Sequence, residues 1–184
     1  MASETSARAP RGPLARMGLL AASLLAASPL AACGDPVKDL AVEALGPEAP
    51  GVPEGPLHRP GQPCLVCHDG ATARAYSVAG TVYLAPDSEE PAAGTSVHLI
   101  DAEGQRFTAV TNCAGNFFLQ PGELEPSYPL WTALRAGTWQ IAMESPIHGE
   151  GSCAACHGLA PGPSSAGRVY VFPIAPEPPP AGCR

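Results

Sequence analysis

Two pentapeptides in this chain carry residue types at a spacing that does chemistry: Cys64-Leu65-Val66-Cys67-His68 and Cys153-Ala154-Ala155-Cys156-His157. Cys-x-x-Cys-His is the attachment signature of c-type haem. Two thiols two residues apart can each add to a vinyl group on one edge of a porphyrin. The adjacent imidazole then lies under the ring and offers a nitrogen to the iron. The reading is two haem c groups, with Cys64, Cys67, Cys153 and Cys156 as thioethers and His68 and His157 as proximal ligands. Two further histidines stand at similar offsets: His58 six residues before Cys64, and His148 five before Cys153. A five-residue connection reaches at most ~17 Å, enough to round a porphyrin edge. His58 and His148 are therefore the expected distal ligands. Met143, at the end of an expected strand, is assigned to the core, and His98 to a strand surface.

Other fates compete for the same thiols. Each Cys-x-x-Cys could close as a local disulfide. The four thiolates could hold one tetrahedral Zn²⁺ if the fold brings both motifs together. A thioredoxin-like redox role would need a βαβ context that the sequence lacks. None of these explains why a His follows directly after both pairs.

The positions flanking these motifs place the chain outside the cytoplasm. Arg8, Arg11 and Arg16 precede an uncharged run from Met17 to Ala32, rich in leucine. That run is shorter than the ~20 apolar residues of a membrane span and fits a signal peptide. It ends Leu30-Ala31-Ala32-Cys33, which resembles the lipobox of bacterial lipoproteins, so residues 1–32 are expected to be removed and Cys33 lipidated. The mature protein would be exported and held on a bacterial membrane, facing the periplasm or the cell surface, by its anchor alone. An oxidising compartment also lets the two remaining cysteines, Cys113 and Cys183, pair with each other.

Of 10 basic and 17 acidic residues, three Arg and Glu4 lie in the first 32, leaving 7 basic against 16 acidic. That balance argues against nucleic acid and suits a basic redox partner protein. Pro and Gly number 23 and 20, and aromatics are only 5 %, which implies one modest core and long irregular segments. Residues 33–63 read as a Pro-broken tether, extended except for a short helix over Pro36–Leu45, and residues 173–184 as a Pro-rich tail. Between them, residues 64–172 hold seven strand signals: Ser77–Leu84, Thr95–Asp101, Arg106–Thr111, Asn116–Leu119, Leu130–Leu134, Thr138–Met143 and Arg168–Phe172. Turn formers such as Glu103-Gly104, Pro121-Gly122 and Ala136-Gly137 separate them. The expected fold is all-β, a single antiparallel seven-stranded sandwich bearing the Cys-x-x-Cys-His motifs on loops, with Tyr83, Trp131 and Trp139 in its core.

Three segments, Ala79-Gly80-Thr81-Val82-Tyr83, then Ala93-Gly94-Thr95-Ser96-Val97 running to Gly104, then Thr111-Asn112-Cys113-Ala114-Gly115-Asn116-Phe117, resemble the carboxypeptidase-regulatory-like domain. The match spans residues 78–119. It implies a small transthyretin-like β-sandwich, usually a non-catalytic module, to which the Cys-x-x-Cys-His pair is an addition. The combined expectation is a membrane-anchored di-haem electron carrier, not an enzyme. The alternative is a surface lipoprotein whose sandwich binds a partner or sugar, with its cysteines in disulfides or on zinc. The anchor has a direct check: wild-type protein should incorporate labelled fatty acid, and Cys33→Ser, which has no thiol to acylate, should not.

Overall fold

The computed structural model describes residues 35–52 and 54–176. The expected signal peptide, the lipidation of Cys33, the Cys113–Cys183 pairing and the end of the tail fall at least partly outside these residues. Among the described residues no helix is long and apolar enough to cross a membrane.

The chain opens with helix α1 (Pro36–Ala44). Pro36 suits a first helical position, where no amide donor is needed, and Gly46 in the left-handed region follows its end. All seven expected strands are present: β1 (Val78–Tyr83), β2 (Ser96–Ile100), β3 (Arg106–Val110), β4 (Asn116–Leu119), β5 (Trp131–Ala136), β6 (Trp139–Ala142) and β9 (Val169–Tyr170). A two-residue ribbon, β7 (Pro161–Gly162) with β8 (Ser165–Ala166), adds a detail the sequence pattern did not carry. The strands form two main sheets, ordered β4-β1-β9 and β3-β2-β5-β6. Val78 and Val82 of β1, with Phe117 and Leu119 of β4, pack in one cluster with Val97, Leu99 and Leu134 of the other sheet. Strand β2 shows the period-two burial this requires.

The fold is all-β, as expected, but one pairing departs from the antiparallel pattern: β9 runs parallel to β1, Val82 opposite Val169 and Tyr83 opposite Tyr170. Further along the same edge Ala79 bridges Ser152, also in parallel. Chain leaving at Ser152 thus rejoins the same edge at Val169. The segment between them carries the second Cys-x-x-Cys-His motif as an excursion from a single strand line. With β4 on its other edge, β1 is buried at every position.

Three expectations about packing are corrected. Trp131 is 47 % exposed, because Leu130 and Leu134 point inward and alternation turns Trp131 outward. Trp139 is also exposed, at the start of the edge strand β6, with its ring 5.9 Å from that of Phe172. Met143 lies just past that strand and is exposed, not core, whereas Tyr83 is buried as expected. The tether differs too. Its stretch from Gly55 to Gln62 is folded into turns and hydrogen-bonded onto the sheet, as described below, and is not an extended spacer.

Gly151 sits where the chain leaves the sheet. Its carbonyl accepts the Ala79 N–H at 2.9 Å, and a Cβ there would fall on the Ser77 carbonyl. Gly151→Ala should cost about 1–3 kcal/mol, the usual range for overpacking. Urea unfolding should show the midpoint falling with an unchanged slope.

Candidate functional site

Both motifs fold into the same local structure. Cys64–Val66 and Cys153–Ala155 are single 3-10 turns, entered from extended residues Pro63 and Ser152. In the first, the Cys67 and His68 amides donate to the Cys64 carbonyl at 3.2 and 2.9 Å. In the second, Cys156 and His157 donate to Cys153 at 3.2 and 2.8 Å. The correspondence continues after the histidine. The Cys67 carbonyl accepts from Ala73 N–H at 3.0 Å, and the next residue, Arg74, holds His68 Nδ1 through its carbonyl at 2.8 Å. The Cys156 carbonyl accepts from Ala166 N–H at 2.8 Å, and Gly167, again the next residue, holds His157 Nδ1 at 3.0 Å.

A backbone carbonyl at Nδ1 fixes the tautomer: Nδ1 carries the proton and Nε2 keeps its lone pair. Metal-ligating histidines are oriented in this way. Different side chains shape the two returning loops. After His68, the Asp69 carboxylate accepts from the Ala71 and Thr72 amides at 3.0 and 2.9 Å and pairs with Lys38. The Lys38 hydrogen bond, with those amides, holds the Asp69 carboxyl well below the usual range. After His157, Ser165 Oγ accepts from Gly158 and Gly167 at 2.8 and 3.1 Å, and the β7–β8 ribbon supplies the turn.

At the first motif a second imidazole is brought in. His58 and His68 have ring centroids 5.8 Å apart and an interplanar angle of 26°. The two rings lie close to parallel, in a stacked arrangement. His58 Nδ1 also donates to a backbone carbonyl, that of Gly55. The backbone of this loop is sewn to the sheet. Asn116 Nδ2 donates to the His58 and Pro56 carbonyls at 3.0 and 3.2 Å, and Asn112 Nδ2 to Pro56 at 2.6 Å. Thr81 Oγ1 accepts from Gly61 N–H and donates to Asn116 Oδ1, both at 2.7 Å. Tyr76 stacks on His68 at 4.0 Å and Phe118 on Tyr76 at 4.6 Å, both at 12°.

The space left among His58, Cys64, Cys67, His68, Tyr76 and Phe118 is about 40 Å³, room for water but not for a macrocycle. The side chains that fill the rest, Arg59, Gln62 and Pro63, stand on the loop and not on strands. With that loop where its hydrogen bonds hold it, the space does not admit a macrocycle, and the case for haem rests on the donor types and not on a formed cavity.

At the second motif, Cys153 is packed against the core, and a Cβ on Gly80 would lie 2.6 Å from its Sγ. Burial pushes its thiol from the ordinary 9.0 up to about 12, and the neighbouring Cys64 opposes its ionisation further. Cys64 is raised by burial as well. Cys156 is exposed. The structure does not bring His148 to His157: His148 is exposed and has no hydrogen bond or ring contact with any described residue. His98 lies on β2 in the other sheet, bonded to Thr108 at 3.0 Å.

The donor sets suit a covalently held haem: two thiols on one turn and an imidazole with free Nε2 at each motif, plus an opposing imidazole at the first. At the second, Ser152 Oγ and Arg168 Nε, on the residues flanking the excursion, are buried without a hydrogen-bond partner. Either can donate to a carboxylate such as those a haem carries. For zinc the fit is poorer. Among the described residues no group of three or more Cys, His, Asp or Glu is gathered closely enough to hold a metal ion. Cys64, Cys67, Cys153 and Cys156 are free, and Cys113 is disulfide-bonded.

Sequence reasoning missed Thr81, Asn112 and Asn116 as supports and Tyr76 and Phe118 as the stack. Nothing in their local spacing points to His58, because the contacts join chain segments far apart in sequence. No family model, curated protein or solved structure matches this chain.

The burial difference sets reactivity. In chain made without haem, iodoacetamide at neutral pH should label the exposed Cys156 faster than the partly buried Cys153, and unfolding should remove the difference. Peptide mapping by mass spectrometry reads this directly; equal labelling in the native state would contradict the burial of Cys153.

Proposed function

We infer that this protein is a di-haem c-type cytochrome that carries electrons outside the cytoplasm, anchored to a bacterial membrane through Cys33. The observation that carries the reading is at the first motif. Cys64 and Cys67 stand on one turn beside His68, and His58 stacks near His68 with ring centroids 5.8 Å apart, the Nδ1 of both rings bonded to a backbone carbonyl. The haem would supply the one-electron chemistry. The chain's residues would hold it through four thioethers, give His68 and His157 as proximal ligands and His58 as a distal one, and fix imidazole orientation through the Arg74, Gly167 and Gly55 carbonyls.

Bis-imidazole ligation at the first iron implies a lower potential than His/Met ligation would give. An acidic mature surface suits a basic donor or acceptor protein. The sandwich would act as a carboxypeptidase-regulatory-like scaffold, with no substrate chemistry of its own.

The test is intact mass of the purified lipoprotein after acid–acetone extraction, together with its reduced spectrum. Two haem additions and sharp α and β bands are expected. Cys67→Ser and Cys156→Ser should each weaken one attachment and spare the other. A mass equal to the lipidated polypeptide alone would leave the partner-binding lipoprotein as the reading.

A further inference from the structure

A cleft of about 430 Å³ opens between the turn after β1 and the loop that carries the β7–β8 ribbon, lined by Pro86, Asp87, Leu159, Pro161, Ala166 and Arg168 among others. Sites for small organic molecules have this size, and they combine apolar walls with a few polar groups. Here the walls are proline, alanine and leucine side chains. The charged groups among the lining residues are the Arg168 guanidinium and the Asp87 carboxylate.

Arg168 is held in place but incompletely paired. Its backbone is fixed on both sides: the Gly167 carbonyl is bonded to His157 Nδ1, and Val169 pairs with Val82 of β1. Its side chain is only 15 % exposed, and its guanidinium carbon lies 5.2 Å from the centre of the Tyr83 ring. The polar contacts of the head group are long. One terminal nitrogen donates to the Pro86 carbonyl at 3.5 Å, and the other lies 3.8 Å from Glu89 Oε1, on a side chain that is 93 % exposed. Its Nε is buried without a hydrogen-bond partner. A charge taken so far out of water is costly unless it is well paired, and the planar fork of a guanidinium matches the two oxygens of a carboxylate. Asp87 limits the choice, because it repels a ligand that carries a second negative charge, phosphate included.

We propose that this cleft is a binding site for a small apolar monocarboxylic acid, with its carboxylate on the Arg168 guanidinium and its hydrocarbon part against Leu159 and Pro161. Glu89 holds the guanidinium loosely in the free protein and gives way to the carboxylate of the ligand. The site uses no cysteine or histidine of the two motifs, so it stands independently of the di-haem reading.

The experiment is isothermal titration calorimetry of the full-length lipoprotein with benzoate, with benzamide and phthalate as controls. Benzoate should bind, and the uncharged amide and the dicarboxylate should bind about tenfold more weakly or less, the scale of one hydrogen bond to a charged group. Arg168→Gln should lose benzoate binding by a similar factor. Leu159→Asp, a change at a half-exposed position that the fold tolerates, should weaken it too by placing a negative charge in the wall. Glu89→Gln should bind benzoate at least as tightly as the wild type, since it removes a competitor for the guanidinium. Equal affinity for benzoate and benzamide, or unchanged benzoate binding in Leu159→Asp, would overturn the proposal. So would benzoate binding that occurs only in chain made without haem, because Arg168 would then belong to a haem carboxylate.

Discussion

The architecture depends on strand β1 having no free edge and no free face. Buried backbone amides and carbonyls must find partners, and β1 finds them in three separate pieces of chain. Strand β4 pairs along one edge, while the Gly151–Ser152 stretch and then β9 share the other. Its inward Val78 and Val82 meet the second sheet, and its outward Thr81 holds the His58 loop. The small residues Ala79 and Gly80 sit where Ser152 and Cys153 come closest, and any larger side chain at Gly80 would displace the Cys153 sulfur. One strand therefore positions both motifs, the first by leading directly into it and the second by looping out from its edge.

Two motifs with one geometry are reached by different local means, and this separates what the chemistry needs from what the chain happens to use. The shared part is a 3-10 turn, a returning amide on the second cysteine's carbonyl, and a carbonyl on Nδ1 one residue later. The unshared part is the loop that returns: Asp69 with Lys38 in one case, Ser165 with a two-residue ribbon in the other. The only features common to both are those that present two thiols and one correctly oriented imidazole. Rigid support of that kind also suits electron transfer, since a ligand fixed by its own hydrogen bonds rearranges little between redox states.

Much of the fold was legible in the sequence. Runs of strand-forming residues separated by Gly and Pro turn formers marked the seven strands, and Thr95–Asp101 alternated because a half-buried strand writes its two faces into its pattern. The direction of pairing was not legible. Val169-Tyr170 reads the same whether it lies parallel or antiparallel to Val82-Tyr83, and only the path of the intervening excursion decides. Trp131 misled because size suggested core, whereas its register against Leu130 and Leu134 put it outside. The four cysteines and two histidines of the motifs were legible from spacing. The difference between His58 and His148 was not, since their offsets match and what distinguishes them comes from Asn112, Asn116 and Thr81 on one side and Leu130 and Ala79 on the other.

Burial also weighs between the fates open to these thiols. Thiolate chemistry, whether zinc ligation or dithiol exchange, requires the sulfur to lose its proton. At Cys153 burial opposes that loss strongly enough to hold the thiol near 12, and Cys64 is raised for the same reason. An ion bound there would have to make good the cost of placing negative sulfur close to Gly80, with no third ligand gathered nearby among the described residues. A thioether carries no charge and no proton. Once formed, it sits in the same apolar surroundings without that penalty, and it removes the titrating group altogether. The burial that makes Cys153 a poor thiolate would not count against a thioether there, while Cys156 on the same turn stands exposed to solvent.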